Sequence, residues 1–484
     1  MIIIVMKQDK LVEEIRALLM AFFPKEKIVC TENMPEKVEK NDLHLEIGIE
    51  QSGVSFVLQK EKKWKYDISL DGDALTRKNE IKRALYLVLQ EYTNKTLPWG
   101  SLTGIRPSKI AYALWERGFS EEEIVLHLQK EYFASKEKSK LCTQTAKTEW
   151  DILKFLDLEN SYSLYISIPF CPSRCFYCSF PAYLILQWEK RLEEYFSCLI
   201  QELEYIAQKF RHKKLYSVYV GGGTPTSVSA QYLELLCQKI RELFPFEEVK
   251  EFCVEAGRPD TINEEKLLVL KKYGVNRLSI NPQSMKEETL QLIGRKHSVQ
   301  EIYDSYFLAK KCGFEQINMD FILGLPNESI EDIAYSMSEC KKMNPDSVTI
   351  HSLAWKRASI LTIGQTYLNQ FQDWQMHHSE KTMQMVHQAM QEMDCHPYYL
   401  YRQKNMEGNL ENVGYSKKGK ESFYNMLIME EKHSILAAGA GASTKLVFFP
   451  ENRIQRLENV KDVGHYIARI EEMIQRKAQV LGNL

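Results

Sequence analysis

The sequence has no apolar run approaching the roughly 20 residues needed to cross a bilayer, so no membrane span is expected. Its opening, MIIIVMKQDK, has a short apolar run with no basic stretch ahead of it, which is not the layout of a secretion signal. Net charge is nearly absent: 63 Lys and Arg stand against 65 Asp and Glu, a formal −2. That balance gives no support to nucleic acid as a partner. No internal repeat or low-complexity segment stands out. What is present is the composition of an ordinary soluble globular protein, 44% hydrophobic and 26% charged, in a chain of 484 residues that is too long for one core. The expected compartment is the cytoplasm. Thiols stay reduced there, so clustered cysteines point to metal or catalysis rather than to disulfides.

Residues 1–95 read as a small α/β module. Ile2 to Val5 is a short apolar run, Leu11 to Phe22 has helical spacing, and HLEIGIE (His44 to Glu50) and Val54 to Gln59 alternate like half-buried strands. KYDISL (Lys65 to Leu70) is a further strand, followed by a helix from Arg77 to Tyr92. Nothing in this module marks a ligand, and packing or dimerisation is its expected role. PWGSLTGIRPSKIA (Pro98 to Ala111) punctuates the chain, and residues 96–160 read as a mainly helical linker. From Ser163 six short apolar or β-branched runs follow: LYISIPF, SVYVGGGTP, EFCVEAGRP, RLSINPQS, INMDFILGLP and SVTIHSL. Helical stretches separate them, so residues 161–365 form βα units on a parallel sheet, a partial (β/α)6 barrel of α/β class. Such sheets carry their chemistry at the C-terminal strand ends. Residues 366–484 read as a smaller C-terminal domain that begins with a long helix, Gln370 to Met393.

The first of those strands ends on FCPSRCFYCSF, with Cys171, Cys175 and Cys178 within eight residues. A structural zinc site wants four ligands, commonly in two halves, and no matching half lies nearby. A dithiol redox site wants CxxC, and here Cys175 and Cys178 are joined by a third cysteine. Iron–sulfur clusters are built from thiolates, and three of them on a [4Fe–4S] cluster leave one iron open to a small molecule. The other eight cysteines are scattered and read as buried hydrophobes.

CxxxCxxC after a first barrel strand resembles the signature of radical S-adenosylmethionine (SAM) enzymes. LYISIPFCPSRCFYCSF, YVGGGTPT, the strand with Glu255, NPQS, GRKH and MDFILGLP together resemble the oxygen-independent coproporphyrinogen III dehydrogenase family. EAGRPDT and YRQKNMEGNLENVGY are most similar to its HemZ-type branch. The likeness covers about residues 95–450.

The resemblance implies that Cys171, Cys175 and Cys178 hold a [4Fe–4S] cluster whose fourth iron takes SAM, with a 5′-deoxyadenosyl radical as the product of SAM cleavage. It places Gly222, Gly223 and Thr224 against the methionine amino group, through backbone N–H and C=O groups that glycine leaves accessible. Glu255 would accept hydrogen bonds from the amine or ribose, and Arg295 would make a two-point contact with the SAM carboxylate. Gln283, Tyr165 and Tyr177 join the SAM contacts, Tyr177 against adenine. Asp320 interrupts an apolar strand. A buried carboxylate is costly unless it is used, which suits a ribose- or substrate-binding role.

The implied activity is oxidative decarboxylation of coproporphyrinogen III to protoporphyrinogen IX, with an electron donor such as a flavodoxin or ferredoxin. Arg106, Lys109, Arg258, Lys356, Arg357 and Arg402 are the cations that could meet the four carboxylates of such a tetrapyrrole. One departure stands out. The family's best-known branch carries a further cysteine two positions after the third, where this chain has Phe180. A haem-binding chaperone branch lacks it too, so that role is an alternative, and an enzyme that opens or alkylates haem is another.

Overall fold

The computed structural model describes residues 1–6, 11–24, 26–33, 42–50, 53–58, 62–67, 74–104, 106–353, 380–403 and 410–481. The chain divides into two compact units, Met1–Lys147 with Tyr401–Glu411, and Thr148–Leu400 with Asn412–Leu484.

The first unit starts with a five-stranded sheet in the order β2-β1-β3-β4-β5. Its strands are β1 (Ile2–Val5), β2 (Ile28–Thr31), β3 (Leu43–Glu50), β4 (Gly53–Leu58) and β5 (Lys62–Tyr66). β1 runs parallel to β2 and β3, and the remaining pairs are antiparallel. Alternation in VSFVL sends Val54, Phe56 and Leu58 inward, where they meet Ile15, Leu18 and Leu19 of helix Val12–Phe22 and Leu85 and Leu89 of helix Ala74–Thr93. Two details differ from the sequence reading. IVCT forms β2, a run too short to stand out, and β5 is Lys62–Tyr66, three residues earlier than read. Residues 68–70 of that reading lie outside the described residues. Residues 401–411 join this unit through Glu411. Its fully buried carboxylate receives Lys138 Nζ at 2.6 Å and Trp99 Nε1 at 2.7 Å.

The second unit is built on β6 (Ser161–Ile168), β7 (Phe170–Cys171), β8 (Tyr183–Leu184), β9 (Lys214–Gly222), β10 (Glu251–Glu255), β11 (Arg277–Ser279), β12 (Gln316–Leu323), β13 (Ser347–Ser352), β14 (His396–Tyr401), β15 (Asn412–Ser416), β16 (Ser434–Ala438), β17 (Ser443–Phe448) and β18 (Arg453–Glu458). β6, β9, β10, β11, β12 and β13 are adjacent and parallel in chain order, the partial (β/α)6 barrel. Helices follow β6, β9, β10, β11 and β12 in the chain. Leu192–Phe210, after β6, buries Tyr195, Phe196, Leu199, Leu203 and Ile206, each worth roughly 1.5–3 kcal/mol of burial. Ser298 with Glu301, and Ser329 with Asp332, cap two later helices reciprocally and fix where they leave the strand ends. The C-terminal strands extend this same sheet. β15 lies antiparallel to β13 at one edge, and β16 lies parallel to β6 at the other, followed by β17 and β18. Helix Glu380–Glu392 is the described part of the long helix read from Gln370, whose earlier residues lie outside the described set.

Candidate active site

β6 delivers the cysteine loop to the C-terminal end of the barrel. β7 and β8 pair in parallel, Phe170 with Tyr183 and Cys171 with Leu184, and so close the loop at its base. Phe176 N donates to Ile293 O at 3.0 Å and Ser173 Oγ to Gly294 O at 3.0 Å, which pins the loop to the segment after β11. All three cysteines are free thiols. Cys171 Sγ lies 3.4 Å from Thr224 Oγ1, and burial pushes its thiol up to about 11 while that hydroxyl pulls the other way. Cys175 is buried beside two guanidiniums. Arg258 Nη1 reaches its Sγ at 3.7 Å, and Arg295 adds a second positive charge. Among the described residues, no three His, Cys, Asp or Glu side chains converge on a single ion.

The glycine run lies directly behind. Gly222 has φ +109°, a left-handed conformation that favours glycine. A Cβ on Gly223 would lie 2.6 Å from Phe170 O and 3.0 Å from Cys171 Sγ. One expectation is corrected here. The Gly223 and Thr224 N–H groups are not available to a ligand, because they donate to Ile168 O at 2.9 Å and Phe170 O at 2.7 Å. The parallel pairing of β9 with β6 continues past the strand ends and consumes them, so the run holds the cysteine loop in place.

Five side chains line the space between the strand ends. Tyr165, Glu255 and His351 are the one residue in β6, β10 and β13 that escapes full burial; within β9 and β12, away from their termini, Tyr219 and Asp320 do so among the non-glycine residues. They form a connected arc. Tyr165 stacks on Tyr219 with centroids 6.2 Å apart, and Tyr219 stacks on Tyr424 at 4.3 Å. The Tyr219 hydroxyl donates to Glu255 Oε1 at 2.6 Å, and Asp320 Oδ2 lies 3.5 Å from His351 Nε2. Burial drives the Glu255 carboxyl up to about 7, the Tyr219 hydroxyl opposes that rise, and the charge of Asp320 adds to it. Asn318 Nδ2 donates to Asp320 Oδ1 at 2.7 Å.

Gln283 and Arg295 connect this arc to the cysteines. Gln283 has φ +70°, strain that persists only where surroundings enforce it, and its N–H donates to Asp320 O at 2.8 Å. Arg295 Nη1 donates to Gly257 O at 3.1 Å and to Asn281 O at 2.5 Å, and Nη2 donates to the Tyr177 hydroxyl at 3.2 Å. The expected open two-point fork is therefore already engaged on both terminal nitrogens. What remains buried without a partner is Arg295 Nε and Gln283 Oε1, a donor and an acceptor beside the loop. With the Gly223 cradle, these orphaned atoms fit a polar ligand seated on the cysteine loop.

Of the cations proposed to meet substrate, Arg258 turns instead to Cys175 and to Asp260, whose carboxyl is raised by burial but held at about 2 by His297 and Arg258. Arg106, Lys109 and Arg402 belong to the other compact unit, and Lys356 and Arg357 lie outside the described residues. Tyr219 and His351 were not singled out in the sequence. Their one signal is a polar ring at an inward strand position next to the terminal carboxylates.

The radical SAM superfamily profile matches residues 165–340. The oxygen-independent coproporphyrinogen-III oxidase-like protein HemZ of Bacillus subtilis is 39% identical over 92% of this chain and 89% of its own. The heme chaperone HemW of the same organism is 32% identical over 64% of this chain and 76% of its own. The solved structure of coproporphyrinogen III oxidase HemN from Escherichia coli, described there as a radical SAM enzyme, superposes with a TM-score of 0.50 at 21% identity over 64% of this chain and 69% of that one, a likeness of fold. The chain is thus of the radical SAM class, whose cofactors are a [4Fe–4S] cluster and S-adenosylmethionine. More narrowly, it belongs to the family of oxygen-independent coproporphyrinogen III oxidase-like proteins that includes HemZ. No helix among the described residues is long and apolar enough to cross a membrane.

Proposed function

We propose that this protein catalyses the oxygen-independent oxidative decarboxylation of coproporphyrinogen III to protoporphyrinogen IX. The observation that carries the reading is the cysteine loop itself. Three free thiols lie at the mouth of a parallel barrel, backed by a glycine that brings main chain within contact of Cys171. Cys171, Cys175 and Cys178 would ligate the cluster, and Arg258 and Arg295 would offset the negative charge gathered at Cys175. When bound, the cluster and SAM supply a 5′-deoxyadenosyl radical as hydrogen-atom acceptor.

The chain's own residues position and shield. Gly222, Gly223 and Thr224 hold the loop and leave room for the methionine end of SAM. Glu255 and Asp320 would accept from its amine and ribose, Gln283 Oε1 and Arg295 Nε would take polar atoms now lacking partners, and Tyr165 and Tyr177 would pack on its apolar faces. Each reacting propionate gives up a hydrogen atom to that radical, CO2, and one electron to an external one-electron acceptor, and so becomes a vinyl group. The incoming electron for each turnover would come from a small donor such as a flavodoxin or ferredoxin.

Phe180, 62% exposed at the position of the extra cysteine, favours a second reading, a haem-binding chaperone on the same scaffold. The likeness to HemW is in line with it. The test is anaerobic: the reconstituted protein is incubated with SAM, a strong reductant and coproporphyrinogen III, and the mixture is read by mass spectrometry. Loss of two carboxyl groups with formation of 5′-deoxyadenosine supports the dehydrogenase. Haem binding with no decarboxylated product selects the chaperone.

A further inference from the structure

The arc of five side chains at the strand ends carries two carboxylates, Glu255 and Asp320, two tyrosines and one imidazole. A substrate bearing four carboxylates would be repelled there unless something offsets that charge. The guanidiniums nearest in the barrel do not serve. Arg258 and Arg295 are drawn to Cys175, and Arg277 sits at the opposite end of the strands, 2.9 Å from Glu251. His351 is the one arc residue that carries nitrogen donors. It occupies the last inward position of β13, is the only residue of that strand not fully buried, and keeps 27% of its side chain open. Its Nε2 faces Asp320 Oδ2 at 3.5 Å, which orients the ring. Asp320 is itself held from the far side by Asn318 at 2.7 Å. The two carboxylates of the arc are matched by the amine and hydroxyl donors of SAM. The imidazole is not called for by those donors, and its ring N–H is a donor that suits an anionic oxygen.

We propose that His351, oriented by Asp320, recognises a carboxylate of the tetrapyrrole. The assignment rests on the tetrapyrrole reading above and makes His351 a specificity residue on the substrate side of the SAM site. A charged hydrogen bond to a carboxylate, lost on replacement by a neutral amide, should weaken binding by roughly tenfold or more.

The experiment uses the cluster-loaded full chain and coproporphyrin III, the stable oxidised form of the porphyrinogen, with its tetramethyl ester as the uncharged control. Affinities are read by quenching of porphyrin fluorescence, alongside SAM affinity by calorimetry. Wild type is expected to prefer the free acid. His351→Gln should lose that preference roughly tenfold, bind the ester as wild type does and keep its SAM affinity, which also reports that it has folded; His351→Lys should restore the preference for the acid. An unchanged preference in His351→Gln overturns the inference and leaves the tetrapyrrole reading standing. Failure of wild type to bind either porphyrin sinks the reading and the inference together.

Discussion

The hydrogen bond from Tyr219 to Glu255 can be tested without knowing the substrate. The perturbation is Tyr219→Phe, which keeps the ring stacked 4.3 Å from Tyr424 and removes only the hydroxyl that donates at 2.6 Å. Burial and the neighbouring charge of Asp320 raise the Glu255 carboxyl to about 7, and the hydroxyl is the one group working against them. A hydrogen bond to a charged acceptor is worth about 1.5–3 kcal/mol, and one pKa unit is about 1.4 kcal/mol, so at the low end of that range its loss lifts the carboxyl by about one unit. SAM offers amine and hydroxyl donors, which an ionised carboxylate accepts best. The ionised fraction at pH 7.5 then falls from about three quarters to about one quarter, at pH 6 it falls about tenfold, and at pH 8.5 it falls by only about a fifth. SAM affinity should follow: about threefold weaker at pH 7.5, about tenfold weaker at pH 6 and nearly equal at pH 8.5. The assay is calorimetric titration of SAM into the reconstituted protein from pH 6 to 8.5. The ratio of variant to wild type is the readout, because it cancels the titration of SAM's own amino group. A ratio that is flat with pH would refute the role of the hydroxyl, and an undiminished affinity in Glu255→Gln would refute the role of the carboxylate.

Three further perturbations follow from the geometry. The folded Glu255 carboxyl holds its proton up to about 7 against an ordinary 4.5, so ionising it destabilises the fold progressively as pH rises between those values; Glu255→Gln should therefore gain up to about 3 kcal/mol at pH 8 and almost nothing below pH 4.5, seen as a melting-temperature gain that grows with pH. Gly223→Ala forces a methyl to within 2.6 Å of Phe170 O and should displace the cysteine loop; iron per chain after reconstitution should fall sharply, and a normal iron content would show that the loop tolerates the shift. Lys477→Met strips Glu202, which is fully buried, of the ammonium 2.6 Å away, and should cost about 3–5 kcal/mol in denaturant unfolding, with part regained in the double variant Glu202→Gln, Lys477→Met.

The barrel was legible because each of its strands is a short apolar run closed by glycine, proline or a polar residue, as in VYVGGGTP and FILGLP. The cysteine loop was legible from spacing alone. Other features have no local mark. The placement of β16 beside β6 joins residues 272 apart in sequence, Ser434 with Tyr162 among them, and SILAA reads like any buried run. Glu411 lies in a polar stretch with no apolar pattern, and its contacts with Trp99 and Lys138 tie it to the first unit. The glycine run was read for its conformational freedom, which Gly222 uses. The use of the next two N–H groups follows from strand pairing that sequence does not reveal. Arg258 read as one of six cations that could meet substrate, because charge is visible in a sequence and burial beside Cys175 is not.

The C-terminal segment does more than flank the barrel, because it closes the end opposite the cysteines and from there reaches the site. Glu251 at the start of β10 accepts from Ser422 Oγ at 2.9 Å, Phe423 N at 3.2 Å and Tyr424 N at 3.1 Å. A carboxylate at that position answers the orphan donors and the positive end of helix Phe423–Glu430. Arg277 holds the same carboxylate at 2.9 Å, donates to Ser347 Oγ at 3.0 Å and bonds the Lys420 carbonyl, so the base of three barrel strands and the start of that helix share one buried network. The network fixes where Tyr424 stands, and Tyr424 is the ring on which Tyr219 stacks. Damage at Glu251 should therefore be felt at Glu255, four residues further along the same strand, through the Tyr424–Tyr219 stack as well as through lost stability. Glu251→Gln keeps an acceptor for the helix N–H groups but weakens its hold on Arg277. It should lower stability at every pH, and it should shift the pH dependence of SAM binding only if Tyr424 moves. A loss of stability with an unchanged pH profile would show that the floor of the barrel and the site above it are mechanically separate.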